Sequence, residues 1–234
     1  MSILDDNQYG AIPNSATTTA LISMLHSWSR STDGNGASVR TLLLEYRKEF
    51  DLIDHSILVR KFRNQCKLPA SIVNWIIDFL SDRSQRIKFA SECFSEWGPV
   101  PAGLPQGTKL GPWLFVLMIH DLDTNVQQWK YVDDTTVSEV VVKGGESYMQ
   151  ETTNRVIEWY RENRVQLNTD NWKELRISFA KDWRAFDPVI IEEKEAKLVT
   201  STKLLGLTIA NDLTWNDHVT EITKKASKRL YFLT

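Results

Sequence analysis

The chain has 234 residues, enough to bury a sizeable core in one large domain, or in one domain and a fragment of a second. Apolar residues make up 42% and charged residues 25%, as in ordinary globular proteins, and a net charge of −2 argues against a surface dominated by nucleic-acid backbone binding. The cysteines and the scattered histidines lack metal-ligand spacing, so no zinc site is expected.

Hydropathy predicts an intracellular protein that does not enter a membrane. No apolar run approaches membrane-spanning length. The polar start, Met1–Asp6, lacks the basic and apolar regions of a signal peptide. We therefore expect a location in the nucleus or the cytoplasm.

The first part of the chain alternates helical and strand patterns. Ser15 is a candidate N-cap for a helix that ends near Arg30, and the glycine-rich stretch 33–36 forces a turn. Val39–Leu44 predicts a buried strand, which places Glu45 at its carboxyl end, a usual location for chemistry in sheet proteins. The elements predicted next are helices at about 54–66 and from Pro69, and a strand pair at 85–90 and 93–97.

The segment Pro101–Pro112 is rich in glycine and proline. This composition gives a stiff, unusual backbone path with little side-chain bulk, so another molecule can approach the main chain. A plain interdomain turn is the alternative interpretation. The loop leads into an apolar helix predicted at 113–119.

Asp133 and Asp134 are adjacent carboxylates between β-forming residues. The pattern predicts a hairpin over 129–142 with the acidic pair at its tip. Two like charges side by side repel unless they are solvated at a turn or share a cation. A polar turn is therefore the alternative to a functional site.

The order of elements predicts an α+β fold with helices packed on one face of an antiparallel sheet. In such a sheet the tip of the hairpin can lie beside Glu45, so that three carboxylates converge. With no nitrogen or sulfur ligands nearby, the natural ion is Mg²⁺, and two such ions about 3.5 to 4 Å apart support phosphoryl transfer. The remaining elements predicted after Gly144-Gly145 are a helix at 146–164, strands at 175–179 and 203–209, and a basic amphipathic helix from about Asn216.

Five ordered segments resemble the successive palm motifs of reverse transcriptases. The residues Gly111-Pro112 and Trp215–His218 are most similar to those of non-LTR (LINE-type) retrotransposon enzymes, and the resemblance extends from Gln8-Tyr9-Gly10 through nearly the whole chain. The five segments are Leu43–Asp51, Leu104–Gly107, Tyr131–Asp134, Leu167-Asn168 with Lys173, and Lys203–Leu207.

This resemblance implies an RNA-directed DNA polymerase that uses an RNA template, a DNA primer, dNTPs and two Mg²⁺ ions, with Mn²⁺ as a possible substitute. Phe50 would lie under the incoming sugar and exclude a 2′-hydroxyl, and Lys203–Leu207 would form a hairpin that grips the primer. The implied groups are Glu45, Asp133 and Asp134 with the main chain of Tyr46 for metal and catalysis; Tyr46, Phe50, Gln106 and Gly107 for the nucleotide; and Tyr131, Lys203, Leu204 and Gly206 for primer and template.

The resemblance also implies a division of the chain. Residues 1–38 would be partial fingers, 39–210 the palm with an insertion near 66–100, and 211–234 the start of the thumb. The chain is expected to begin after the family's first fingers motif and to contain no endonuclease segment.

The chain departs from the family's pattern at three positions. The family has Asp where this chain has Glu45, usually Ala at Glu49, and usually Lys at Asn171, for which Lys173 can substitute. Glu reaches about 1.5 Å further than Asp, and a misplacement of that order can cost on the order of 10²-fold in rate. Three interpretations remain open: a competent or impaired polymerase palm, a catalytically silent remnant that at most binds nucleic acid, and an unrelated α+β domain with a solvated acidic turn.

Overall fold

The computed structural model describes residues 4–34, 36–45, 50–180 and 185–231, so Tyr46 and Glu49 lie outside the described residues. The helices in these ranges are α1 (Thr17–Thr32), α2 (His55–Asn64), α3 (Ala70–Leu80), α4 (Leu110–Met118), α5 (Met149–Glu162) and α6 (Asn216–Tyr231), with a 3-10 turn at Thr169–Asn171. The strands are β1 (Ser38–Leu44), β2 (Ser84–Gln85), β3 (Lys88–Ala90), β4 (Cys93–Phe94), β5 (Gly98–Pro99), β6 (Gln127–Tyr131), β7 (Asp134–Val141), β8 (Lys173–Ser178), β9 (Ile190–Ile191), β10 (Lys194–Glu195), β11 (Lys197–Val199), β12 (Ser201–Leu204) and β13 (Leu207–Ala210).

Strand β1 lies at the centre of a sheet with the order β11-β8-β1-β7-β6. It pairs antiparallel with β7 on one edge and with β8 on the other, while β6 and β7 are the arms of one hairpin. Only β11 departs from this direction among the strands described in the sheet, since it pairs parallel with β8. The prediction that 39–44 and both arms of the 129–142 hairpin share an antiparallel sheet is confirmed.

Helices cover both faces of this sheet. On one face, Leu42 and Leu44 pack with buried side chains of α2, α3, α4 and α5. On the other face, Val39 and Leu43 pack with Trp28 of α1 and with the β12–β13 pair. The α+β class is confirmed. The expectation that the helices pack on one face of the sheet is wrong, because α1 covers the second face. Side chains alternate along β1, so the apolar residues of its second face need a cover of their own.

Two local predictions differ from the structure near the start of the chain and in the insertion. Helix α1 has Ala16 at its N-cap and no side-chain capping bond, so the predicted cap by Ser15 is wrong. The strand pair predicted at 85–97 is divided into two short antiparallel pairs, β2 with β5 and β3 with β4.

The segment Lys203–Ile209 is a hairpin, as the resemblance to reverse transcriptases implies for Lys203–Leu207, and not the single strand that its apolar pattern predicts. Strands β12 and β13 pair antiparallel, with Leu204 opposite Leu207. The connecting residues Leu205 and Gly206 have φ values of +47° and +90°. Positive φ at both central residues is typical of a two-residue type I′ turn, and alternation alone does not reveal it.

A buried ion cluster crosses the sheet near the start of β1. Arg40 Nε donates to Glu174 Oε1 at 2.7 Å, and Arg176 donates to both carboxylate oxygens of Glu174 at 2.8 and 3.0 Å. Burial acts to raise the pKa of Glu174, but the bonds from Arg176 and Arg40 outweigh it and lower that pKa below its ordinary value. Arg40 and Arg176 also donate to the carbonyl oxygen of Asp187, which ties the following segment to the sheet.

Buried lysines bind the carbonyl groups at the C-terminal end of α4. Lys61 Nζ donates to Met118 O at 2.8 Å, and Lys130 Nζ donates to Ile119 O at 3.1 Å and Leu122 O at 2.6 Å. Burial lowers the pKa of each lysine. Their acidic partners are Asp121 for Lys61 and Asp5 for Lys130. Positive charge at this end of a helix is favourable because the last carbonyl groups carry partial negative charge.

Among the described helices, none combines the length and the apolar character that a membrane crossing requires.

The buried ion cluster predicts a large loss of stability on removing one charge. Glu174→Gln leaves Arg40 and Arg176 without their full counter-charge in the interior, so the free energy of unfolding should fall by about 3 to 5 kcal/mol in urea titrations. The matched control is Glu151→Gln, because Glu151 is exposed and pairs with Arg155 only one turn away on α5, so its removal should change stability by less than about 0.5 kcal/mol.

The pH dependence has a defined sign. Because the folded pKa of Glu174 is lowered, its contribution is present above the unfolded pKa of about 4.3 and is lost as pH falls through the folded pKa. The difference between the parent and Glu174→Gln should therefore shrink on acidification below about pH 4. A difference that is small at pH 7, or that grows toward acid, would show that Glu174 does not hold the two guanidinium groups.

Candidate active site

Asp133 and Asp134 lie at the connection of the β6–β7 hairpin, as predicted. Tyr131 pairs with Asp134, so Val132 and Asp133 form a two-residue turn. Val132 has a φ of +56°. This is an unusual backbone conformation for a β-branched residue, and such strain persists only where the surrounding structure imposes it.

The sheet register brings Glu45 to the same end of the sheet as the acidic turn. Leu44 at the end of β1 pairs with Thr135 of β7. The next residues on the two strands are Glu45 and Asp134. Neighbouring strands lie about 4.8 Å apart, so these positions are adjacent across the sheet.

The carboxylate of Glu45 contacts the segment that precedes β8 and the first residue of that strand. Asn171 Nδ2 donates to Glu45 Oε2 at 2.8 Å, and Lys173 Nζ lies 3.8 Å from Oε1. The carbonyl oxygen of Glu45 also accepts hydrogen bonds from Asn168 N and Trp172 Nε1. Two of the departures from the family pattern, at 45 and 171, are thus in direct contact. Sequence reasoning treated them separately because 126 positions divide them.

The donor atoms at this end of the sheet suit a hard divalent cation. Carboxylate oxygens are the ligands that Mg²⁺ and Mn²⁺ prefer. Among residues 4–34, 36–45, 50–180 and 185–231, however, no group of three His, Cys, Asp or Glu side chains is close enough to hold an ion. With Glu45 bonded to Asn171, the carboxylates fit a metal in chemistry and require a side-chain movement to surround one.

The candidate nucleotide residues Phe50 and Gln106 border one cleft. It has a volume of about 600 Å³ and is also lined by Asp51, His55 and Arg83. Phe50 stacks on Phe115 of α4 with ring centroids 5.0 Å apart, and Gln106 Nε2 donates to Asp51 Oδ1 at 3.1 Å.

The cleft also contains groups that sequence reasoning missed. His55 Nε2 lies 2.6 Å from Gly103 O, and the guanidinium of Arg83 lies over the Phe79 ring. Both residues fall outside the recognised motifs. In the sequence only their positions pointed to the cleft: His55 lies shortly after Phe50, and Arg83 lies shortly after the end of α3.

Gly103 brings the glycine-proline loop onto the main chain of residues 50 and 51. A Cβ at Gly103 would lie 2.6 Å from Asp51 O and 2.7 Å from Phe50 O. Leu104 N donates to Phe50 O at 2.5 Å. Gly107, by contrast, has open space around it. The loop is therefore packed at its first half and accessible at its second.

The candidate primer residues lie on the other side of the acidic turn. Tyr131 and Asp134 line a small depression together with Leu204 and Leu205 of the β12–β13 hairpin. Leu204 is buried in the cluster beneath α1. Lys203 is exposed and its Nζ lies 3.7 Å from Glu221 Oε1 of α6, so the hairpin is connected to that helix.

Sequence comparison identifies relatives over most of the chain. A profile of the family described as "Reverse transcriptase (RNA-dependent DNA polymerase)" matches residues 1–209. The "Probable RNA-directed DNA polymerase from transposon X-element" of Drosophila melanogaster is 29% identical over 191 residues, which cover 78% of this chain and 20% of that protein. The "RNA-directed DNA polymerase from mobile element jockey" of the same species is 25% identical over 191 residues, covering 76% and 20%. The chain spans about a fifth of the length of these curated relatives.

Solved telomerase structures from Candida tropicalis share the fold. The apo enzyme truncated from its C-terminal domain gives a TM-score of 0.55 at 9% identity, over 89% of this chain and 40% of that chain. Telomerase in complex with a TWJ fragment of telomeric RNA gives 0.57 at 9% identity, over 89% and 33%. At this identity the likeness concerns the fold alone.

The packed half of the glycine-proline loop generates a testable contrast. Gly103 and Gly107 both have positive φ, +89° and +76°. Gly107→Ala should cost only the backbone strain, about 1 kcal/mol. Gly103→Ala adds a clash with main-chain oxygens that cannot rotate away, so it should cost about 1 to 3 kcal/mol more in urea unfolding. Equal losses for the two variants would show that the loop does not rest on residues 50 and 51.

Proposed function

Because the chain belongs to the reverse transcriptase (RNA-dependent DNA polymerase) family, with LINE-type retrotransposon enzymes among its relatives, we propose that it extends a DNA primer on an RNA template. What supports the proposal most is the placement of the acidic turn at the same end of the sheet as Glu45. The chain spans about a fifth of the length of the curated relatives. The polymerase activity, the substrates and the partners are therefore a proposal for this chain.

The proposed catalytic groups are Asp133, Asp134 and Glu45. Reverse transcriptases generally use divalent metal ions, and we propose that these carboxylates, with the main chain of Tyr46, would hold two Mg²⁺ ions or their Mn²⁺ substitutes. Such ions activate an attacking hydroxyl and neutralise a leaving oxygen. In this chain Glu45 would first release the amide of Asn171, which supplies one hydrogen bond, and the more distant ammonium of Lys173.

The cleft beside Phe50 is the proposed nucleotide site. Phe50 is braced by Phe115, which suits a ring that must hold its place under a sugar. Gln106 is oriented by Asp51, and Gly107 leaves its surroundings open for a ligand to approach the main chain. Arg83 adds a positive charge to the wall of the cleft, where a triphosphate would benefit from it.

The β12–β13 hairpin is the proposed primer contact. Its residues Lys203, Leu204 and Gly206 follow one another around a tight turn next to Tyr131. We propose that residues 39–210 serve as palm, with the insertion near 66–100, and that 211–234 start the thumb. Residues 1–38 would be partial fingers that share a core with the palm, since α1 packs on its sheet. An intracellular location, in the nucleus or cytoplasm, is part of the same proposal.

A silent remnant that only binds nucleic acid is the second candidate function. The observation that favours it is the engaged carboxylate of Glu45, which bonds Asn171 and lies near Lys173. If these contacts persist in solution with metal present, the acidic turn lacks its third ligand. Primer extension separates the two candidates.

Glu45→Asp should raise the rate of primer extension with Mg²⁺. The shorter side chain loses its reach to Asn171 and restores the family's ligand geometry, so a gain of roughly tenfold is expected on an oligo(dT)-primed poly(rA) template. The parent should work better with Mn²⁺, which tolerates irregular geometry better than Mg²⁺. Asp133→Asn should abolish extension.

The matched control for this experiment is Glu158→Asp, the same substitution at an exposed position of α5. It should leave extension unchanged. An active parent whose Mg²⁺ rate is unaffected by Glu45→Asp would exclude position 45 as a metal ligand. No extension by any variant with either metal would favour the silent remnant.

Binding of a primer-template should be weak and strongly dependent on salt. The chain is slightly acidic overall, and exposed basic residues of α6 provide local phosphate contacts. Fluorescence anisotropy over a salt series gives the slope of the logarithm of the binding constant against the logarithm of the salt concentration. This negative slope should become smaller in magnitude by about 2 when Lys224 and Lys228 are both replaced by Ala.

Lys194→Ala is the control for the binding experiment. Lys194 is also exposed but lies on β10 and pairs with Asp170 at 2.6 Å. Its removal should leave the slope unchanged. Tight binding that persists at high salt would contradict an electrostatic contact through α6.

A further inference from the structure

The N-terminal segment, residues 5–10, lies along the outer edge of β6. Lys130 N donates to Asn7 O at 2.8 Å, and Tyr9 N donates to Lys130 O at 2.7 Å. These bonds make a parallel bridge between Gln8 and Lys130. Strand β6 of the hairpin is therefore hydrogen-bonded on both edges, by β7 on one and by this segment on the other.

The side chain of Gln8 contacts the acidic turn directly. Its Oε1 accepts hydrogen bonds from Gly10 N at 2.8 Å and from Val132 N at 3.1 Å. Gln8 is only 3% exposed. Val132 is the residue with the positive φ, so the bond fixes the main chain at the strained point of the turn.

Gly10 is the second point of contact. A Cβ at this position would lie 2.6 Å from both Val132 N and Val132 Cγ2, and 2.9 Å from Tyr131 C. Two of these atoms belong to the main chain of the hairpin and cannot move independently of it. The segment therefore approaches the turn closely because residue 10 has no side chain.

Further bonds anchor the segment so that it can act as a fixed support. Lys130 Nζ pairs with Asp5 Oδ2 at 2.6 Å. The hydroxyl of Tyr9 donates to Ser23 Oγ of α1 at 3.0 Å, and Trp129 Nε1 donates to the same oxygen at 2.9 Å. The segment, α1 and β6 are thus joined at one point just before the turn.

We propose that Gln8 and Gly10 are positioning residues that set the conformation of the Val132-Asp133 turn. Gln8 satisfies the amide of Val132, and Gly10 leaves room for the turn in its strained conformation. Among the described residues Gln8 Nε2 has no hydrogen-bond partner. A buried amide with an unpaired donor is a poor choice for stability alone, which supports a local role for its oxygen.

Amide hydrogen exchange of the whole chain tests this proposal without relying on the proposed function. Gln8→Met keeps the length of the side chain and removes the acceptor, so protection of the Val132 amide should fall roughly three- to tenfold, as expected for one net hydrogen bond. Gln128→Met is the matched control on β6, since Gln128 is also buried but bonds Leu122 O and Thr124 away from the turn. It should leave the Val132 amide unchanged.

A second pair of variants covers the case in which Gln8→Met does not fold. Gly10→Ala should deprotect the same amide by displacing the turn. Gly98→Ala is its control, because a Cβ there meets only Gln85 O, at 4.0 Å. Unchanged exchange at Val132 in the folded variants, or equal deprotection across β1 and β7, would overturn the proposal.

A kinetic measurement extends the proposal to chemistry and rests on the proposed function. Gln8→Met should lower kcat for primer extension, with KM for the nucleotide unchanged, because the cleft at Phe50 and Gln106 lies on other elements. A raised KM with unchanged kcat would contradict positioning of the turn. Absence of activity in the parent would count against the proposed function only, and the exchange experiment would still decide the positioning role.

Discussion

The placement of the proposed catalytic carboxylates depends on the pairing of β1 with both of its neighbours. Each of the seven residues of β1 is buried, and both edges of the strand are hydrogen-bonded. A slip of one residue would turn Leu42 and Leu44 away from the helices that cover them, so the register is strongly specified. The same register fixes Glu45 across from Asp134. The packing of the core therefore determines the positions of Glu45 and Asp134.

The charged side chains at the two ends of β1 have different surroundings. Near its start, the buried carboxylate of Glu174 is shared by the guanidinium groups of Arg40 and Arg176, each of which bonds it directly. At its end, Glu45 is 42% exposed, and the ammonium of Lys173 lies 3.8 Å away. Charges that are paired and buried hold structure, whereas exposed carboxylates at a strand end remain available to a ligand. The sheet thus has a buried, directly bonded charge cluster at one end and a partly exposed carboxylate at the other.

Sequence reasoning recovered the features that local patterns encode. The strand before Glu45, the acidic hairpin and the helix from Asn216 follow from alternation, turn residues and amphipathic periodicity. It failed where the outcome depends on distant partners or on unusual dihedral angles. The apolar stripe of α1 does not say which face of the sheet it covers, and Leu205 gives no warning of its positive φ. The contact of Gln8 with Val132 joins residues 124 positions apart, beyond any local signal.

The contact between Glu45 and Asn171 changes how the departure at position 45 is understood. Asp is one carbon bond shorter, about 1.5 Å, so Glu45 and Asn171 suit each other as a pair. These contacts still hold the carboxylate of Glu45 only weakly. An exposed carboxylate at 3.8 Å from a half-exposed ammonium contributes less than about 1 kcal/mol, and the single amide bond adds about as much. A divalent cation offers a carboxylate far more than this. Occupancy of the site is therefore decided by the geometry that the longer side chain permits after it turns, and only weakly by the contacts that it gives up.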